Sequence, residues 1–152
     1  VLMVRKYILM KIMKFLIIGL GNFGRRLAED LTDYGHDVIG VDINEHRVND
    51  VKDRISLAYI MDSTEKRALA ALPLDEIDHV VVAVGQSMDD SLRTVVALKA
   101  LEVKNIYARA LDKVHQSILS AMSVAHIIIP ETYAARVFAR SFHSSEDSIE
   151  LI

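Results

Sequence analysis

The chain has 152 residues, 51% hydrophobic and 26% charged, with a net charge of −3 and no cysteine. This length and balance predict one globular domain with its own core. The mixing of acids and bases excludes a basic nucleic-acid surface, and the missing cysteines exclude disulfides, thiolate metal sites and a cysteine nucleophile. A reducing cytosol is compatible with that composition.

The leader "VLMVRKYILMKIM" (1–13) mixes apolar residues with Arg5, Lys6 and Lys11. It has no small-residue cleavage site before the first strand, so it does not read as a signal peptide. It reads either as a peripheral amphipathic segment or as an upstream start with Met13 as the initiator. The second is favoured because Met13 directly precedes a well-formed strand. No window reaches the roughly 18 apolar residues of a membrane span.

From Lys14 onward, strand-like and helix-like runs alternate. "KFLIIG" (14–19) is continuously apolar, as expected of a parallel strand buried on both faces. Phe23, Leu27, Leu31 and Tyr34 repeat at helical spacing over 22–34, with Gly35 as the stop. "DVIGVD" (37–42) is the second strand, and 44–52 a short helix capped by Asn44. "SLAYIM" (56–61) is the third strand, followed by a helix over 64–72 that Pro73 ends. "HVVVAVG" (79–85) is the fourth and most apolar strand, and a long helix follows over 89–101. "NIYARA" (105–110) is the fifth. Val114, Ile118 and Met122 mark the next helix face, "HIIIP" (126–130) is the sixth strand, and 131–142 a last helix. Six β/α units predict a Rossmann-like, doubly wound parallel sheet ordered 3-2-1-4-5-6. The domain is expected over 14–142, with 143–152 a tail or linker that ends apolar.

The first strand runs into Gly19-Leu20-Gly21-Asn22-Phe23-Gly24. Gly19 permits the tight turn, Gly21 lets backbone approach a pyrophosphate, and Gly24 lets helix and strand pack closely. Phosphates would then face backbone N–H groups at the positive helix end. Asp42 ends the second strand 18 residues after Gly24. Its carboxylate suits both hydroxyls of an adenosine ribose and repels a 2′-phosphate. Ile43 follows it at the same strand end. Asp62 and Ser63, after the third strand, are candidates for the adenine edge, with helix capping the alternative there and at Thr64. Val84 and Gly85 follow the fourth strand, where glycine permits close approach. Arg109 ends the fifth, either to pair with a phosphate or to form a structural ion pair. The six histidines show no metal-ligand spacing and read mostly as surface or edge residues. Asp89 and Asp90 suit a helix dipole better than acid–base work. No nucleophile elbow or triad is recognisable.

Together "IIGLGNFG", "GHDVIGVDIN", "MDST", "VVVAVG", "NIYARALDKVH" and "IIIPETYAARVFA" resemble the RCK/KTN family of cytosolic nucleotide-binding regulators of potassium channels and Trk/Ktr transporters. The resemblance runs from Lys14 to about Phe142. It implies that Gly21, Asp42, Asp62 and Arg109 contact a nucleotide, NAD(H) or ATP/ADP. It implies that the last helix pairs two subunits, and that homodimers assemble into an octameric ring under an integral membrane potassium transporter or channel. The protein would then be cytoplasmic, held at the inner face of the plasma membrane by that partner. In the Ktr branch a glutamate matching Glu131 helps hold a divalent cation (Mg or Ca) at the dimer interface. Members that sense ATP carry Arg where this chain has Asn22, which leaves NAD(H) and ATP/ADP equally open. Arg25 and Arg26 are the nearest substitutes, although solvent-exposed helix positions suit them better.

The reading is therefore a nucleotide-sensing regulator, not an enzyme. The alternative is a small NAD-dependent oxidoreductase or a fragment of one. The 22 residues from Glu131 to Ile152 argue against a substrate domain within this chain. A third reading is a fragment whose C-terminal lobe lies beyond it.

Overall fold

The central apolar runs become parallel strands because helices on both faces cover them. The computed structural model describes residues 11–143. The expectations for most of the leader and for the apolar ending lie outside those residues. The elements are β1 (Lys14–Ile18), α1 (Asn22–Asp33), β2 (Asp37–Asp42), α2 (Glu45–Val51), β3 (Leu57–Ile60) and α3 (Lys66–Ala70). After a single 3₁₀ turn (Leu74–Glu76) come β4 (His79–Val82), α4 (Met88–Ala100), β5 (Ile106–Arg109), α5 (Lys113–Ala121), β6 (His126–Ile128) and α6 (Pro130–Ser141). The six strands form one parallel sheet in the order β3-β2-β1-β4-β5-β6, as the alternation predicts.

Alternate residues of β1 feed two cores. Leu16 and Ile18 pack with Leu69 of α3, Val95 and Leu98 of α4 and Leu119 of α5. Ile17 packs on the other face with Ala28 of α1 and Val48 and Val51 of α2. The chain therefore winds onto opposite faces on either side of the β1–β4 junction, and the carboxyl ends of those strands diverge into a crevice. Helix α6 buries no residue, and Tyr133, Phe138 and Phe142 are exposed.

Several expectations move. The first strand stops at Ile18 because Gly19 turns the chain with φ of +96°, a region that favours glycine. The fourth stops at Val82, and Ala83 bends back to donate its N–H to the Ile18 carbonyl at 2.7 Å. The third helix starts two residues late. Asp62 Oδ1 accepts from both the N–H and the hydroxyl of Thr64 (3.0 and 2.6 Å), which closes "MDST" into a turn instead of making Thr64 a cap.

On α5, Val114 is exposed and the buried face is His115 and Leu119. Asp112 caps this helix through the His115 N–H (2.8 Å), and the imidazole turns inward. His115 Nδ1 accepts the Leu111 N–H at 3.0 Å, so Nε2 carries the proton and donates to Ser91 Oγ, also at 3.0 Å. With both nitrogens satisfied, the ring is fully buried at little polar cost. His36 is buried too, its Nδ1 accepting the Met13 N–H at 3.1 Å. These two depart from the surface reading of the histidines.

Candidate functional site

The glycine turn after β1 sets the position of α1. An ideal Cβ on Gly24 would lie 1.8 Å from the Gly19 carbonyl oxygen, so only glycine lets the helix start sit this close to the strand. Gly24 serves packing from below and does not reach the cleft. Gly21 is the N-cap of α1; it offers no side-chain acceptor, and the first turn carries no acid. The first bond within the helix runs from the Arg25 N–H to the Gly21 carbonyl at 2.8 Å. The preceding N–H groups therefore have no partner within the helix, and their partial positive charge faces the crevice. A Cβ on Gly21 would meet nothing nearer than Arg47, at 3.9 Å. Its missing side chain leaves room for something outside the chain.

Across the opening, Asp42 is 7% exposed. Its Oδ2 accepts the Leu20 N–H at 2.7 Å and its Oδ1 the Asn44 N–H at 2.8 Å. The carboxylate is thus fixed between the glycine turn and the cap of α2. Arg47 Nη1 stands 3.7 Å from the same Oδ2 and partly neutralises it. The sequence reading did not single out Arg47. The available signal was its register: the Asn44 side chain accepts the Arg47 N–H, which puts Arg47 on the first turn of α2 directly after Asp42.

At the far end, Arg109 leaves β5 with its side chain mostly buried. The guanidinium lies over the Phe23 ring, 5.7 Å from the centroid, and donates from Nη2 to Glu131 Oε1 at 2.9 Å. The structure shows the ion-pair reading of Arg109, with both partners lining the crevice. Nη1 occupies the space beside Gly85, where a Cβ would come within 2.8 Å of it. The close approach that Gly85 permits is made by this arginine.

These groups line one cleft of about 650 Å³. It brings together Gly19, Gly21, Asn22 and Phe23 of the turn with Asp42 at the end of β2 and Ile43 just after it. Asp62, Ser63, Val84 and Gly85 form its walls, and Arg109 and Glu131 its far end. Ser63 also bonds to Thr94 (2.8 Å), and Asp62 to Thr64, so both are already held by neighbours. Arg25 reaches the cleft, whereas Arg26 pairs with Asp30 on the exposed face of α1. Among the described residues of one chain, no three His, Cys, Asp or Glu side chains gather into a metal-binding group. No described helix is long and apolar enough to cross a membrane.

The profile of the TrkA-N domain matches residues 15–130. The chain belongs to the TrkA-N domain family. The Ktr system potassium uptake protein C of Bacillus subtilis is 36% identical over 140 residues, which cover 91% of this chain and 63% of that protein. The chain thus spans less than two thirds of that curated relative. Among solved structures, the TrkA-N chain is similar to the NAD(P)-binding domain of an exopolyphosphatase-related protein from Archaeoglobus fulgidus, with a TM-score of 0.73 at 21% identity, over 85% of this chain and 96% of that one. It is also similar to the GsuK channel bound to NAD, with a TM-score of 0.68 at 17% identity, over 78% of this chain and 22% of that one. Both share its fold.

Proposed function

We propose that this TrkA-N domain senses the adenosine diphosphate moiety common to NAD(H), ADP and ATP, and passes its state to a potassium-transporting membrane partner. One observation carries the reading: the uncapped start of α1 faces the fixed carboxylate of Asp42 across a single cleft. A ribose hydroxyl donates to Asp42 through its remaining lone pairs. A pyrophosphate lies over the open side of Gly21, against N–H groups and a dipole that favour anions. Asn22 supplies no charge to a third phosphate, so the grip centres on the diphosphate. Site contacts are assigned to Gly19, Gly21, Asn22, Phe23, Asp42, Ile43, Asp62, Ser63, Val84, Gly85 and Arg109, with Gly24 acting through packing.

The potassium role follows from the Ktr relative, named as a potassium uptake protein. The domain acts as a regulator, in the cytoplasm at the membrane's inner face, by binding the nucleotide without transforming it. Tyr133 and Phe138 on α6, with Phe142 at its C-cap, supply the apolar face of a homodimer, and dimers build the octameric ring. A divalent cation at Glu131 then draws its other ligands from the second copy and from the phosphates. Calorimetric titration of the purified chain with NADH, NAD, ATP and ADP tests the reading. Binding below millimolar that is lost in Asp42→Ala is expected; no binding by any of the four overturns it.

A further inference from the structure

We propose that Arg47 is a phosphate-binding residue of the cleft, gripping the 5′-phosphate where ribose and pyrophosphate join. The inference rests on the nucleotide reading above and adds to that site a residue which makes it prefer charge.

Arg47 stands where the two halves of the site meet. Its Nη1 is 3.7 Å from Asp42 Oδ2, on the carboxylate assigned to the ribose, and 3.9 Å from where a Gly21 Cβ would lie, beside the space assigned to the pyrophosphate. In an adenosine nucleotide the group that links those two places is the 5′-phosphate. The backbone fixes the residue there: Asn44 caps α2 by accepting the Arg47 N–H, and Val48, the next residue, is buried against the sheet. The Arg47 side chain is 34% exposed, so an anion entering the cleft can reach it.

Its bonding capacity toward Asp42 is open. A distance of 3.7 Å exceeds a hydrogen bond, so the carboxylate attracts the guanidinium without taking a donor from it. The short bonds of Asp42 go to the Leu20 and Asn44 N–H groups instead. Two other arginines line the cleft, but Arg25 faces Glu29 on its own helix and Arg109 already donates to Glu131. The guanidinium of Arg47 presents a planar fork of donors that matches phosphate oxygens. Asp42 holds that fork near the mouth of the empty cleft. With a nucleotide in place, the cation stands between Asp42 and the 5′-phosphate, two anions that would otherwise repel each other.

Arg47→Gln removes the charge and the fork at a partly exposed position. Adenosine, 5′-AMP and 2′-AMP are titrated by calorimetry against wild type and variant, with circular dichroism recording the fold of each. The variant should bind adenosine as before and 5′-AMP about tenfold more weakly, the scale of one hydrogen bond to a charged group. The phosphate of 2′-AMP falls on Asp42, so this ligand should bind neither protein better than adenosine does. Unchanged 5′-AMP binding by the variant overturns the assignment. So does an equal loss of adenosine and 5′-AMP in a folded variant, which makes Arg47 a residue that positions Asp42. A loss confined to 2′-AMP overturns it too, by placing the guanidinium on the other side of the sugar. Failure of wild type to bind adenosine and 5′-AMP overturns the nucleotide reading, and this inference with it.

Discussion

Replacing Gly24 by alanine tests whether the cradle is built by contact rather than by loop flexibility. The new methyl would start 1.8 Å from the Gly19 oxygen, 2.9 Å from the Gly19 carbonyl carbon and 3.2 Å from Ala83 Cβ. Relaxing the first to an ordinary C···O approach of about 3.3 Å requires α1 to retreat by about 1.5 Å. Gly19 is itself tied to the sheet, its N–H donating to the Val41 carbonyl at 2.9 Å. Overpacking against backbone belongs at the top of the usual range, about 3 kcal/mol. Alanine returns up to about 1 kcal/mol through helix propensity. The steric term wins, leaving about 2 kcal/mol of destabilisation and a fall in Tm of about 4–8 °C for a chain of this size. The control is Gly21→Ala, three residues away, where the methyl meets open space and φ is −70°. It should keep its Tm within about 2 °C, yet weaken ADP binding about tenfold or more by blocking a hydrogen bond to charge. Thermal unfolding followed by circular dichroism, together with calorimetry, measures both. A Gly24→Ala protein as stable as wild type would refute the packing argument.

Three further outcomes follow from the same geometry. Asp42→Asn faces two backbone donors with one amide oxygen and should cost about 1–3 kcal/mol, read as a lower urea midpoint without ligand. Burial, partly opposed by Asp112, lowers the pKa of His115 below its ordinary 6.5. The unfolded chain therefore binds the extra proton first, so stability is full above about pH 6.5 and declines as pH falls below it. His115→Gln should remove that slope in unfolding curves taken between pH 5 and 8, and an unaltered slope would count against it. Phe138→Glu places a charge on the exposed apolar side of α6 beside Phe142. The proposed dimer should become a monomer by light scattering, with its helix content by circular dichroism kept.

The fold was legible because a doubly wound sheet repeats one unit, and the repeat survives errors at each end. The order of all six strands followed from reading the six β/α units as a doubly wound, Rossmann-like sheet. Ends were less legible where a side chain competes with the backbone for hydrogen bonds. Asp62 holds Thr64 out of α3, and nothing in a hydropathy pattern announces that. The face of α5 was misjudged for a related reason. His115 reads as polar, yet Leu111 and Ser91 satisfy it inside, while the apolar Val114 points outward. In the cleft, the glycines and Asp42 carried a spacing that could be read directly. Arg47 and the Arg109–Glu131 bond depend on how α2 and α6 meet the sheet, and that is settled only in three dimensions.

The two ion pairs in the cleft suggest why it suits sensing. Asp42 with Arg47 holds one end, and Arg109 with Glu131 the other. A nucleotide bound as proposed would bring ribose hydroxyls that donate to the first and phosphates that accept from the second, so each contact would displace or share one already present. The net gain is the difference between hydrogen bonds of similar kind, which keeps binding reversible. A ligand shifts a conformational equilibrium only as far as its affinities for the two states differ. Under the proposed function, adenosine would engage Asp42, which the Leu20 and Asn44 N–H groups hold in place. A diphosphate bound as proposed would also meet Arg109 at the far end of the cleft. On the proposed reading, the phosphates carry the differential affinity that sensing requires, and the adenosine brings them to the cleft.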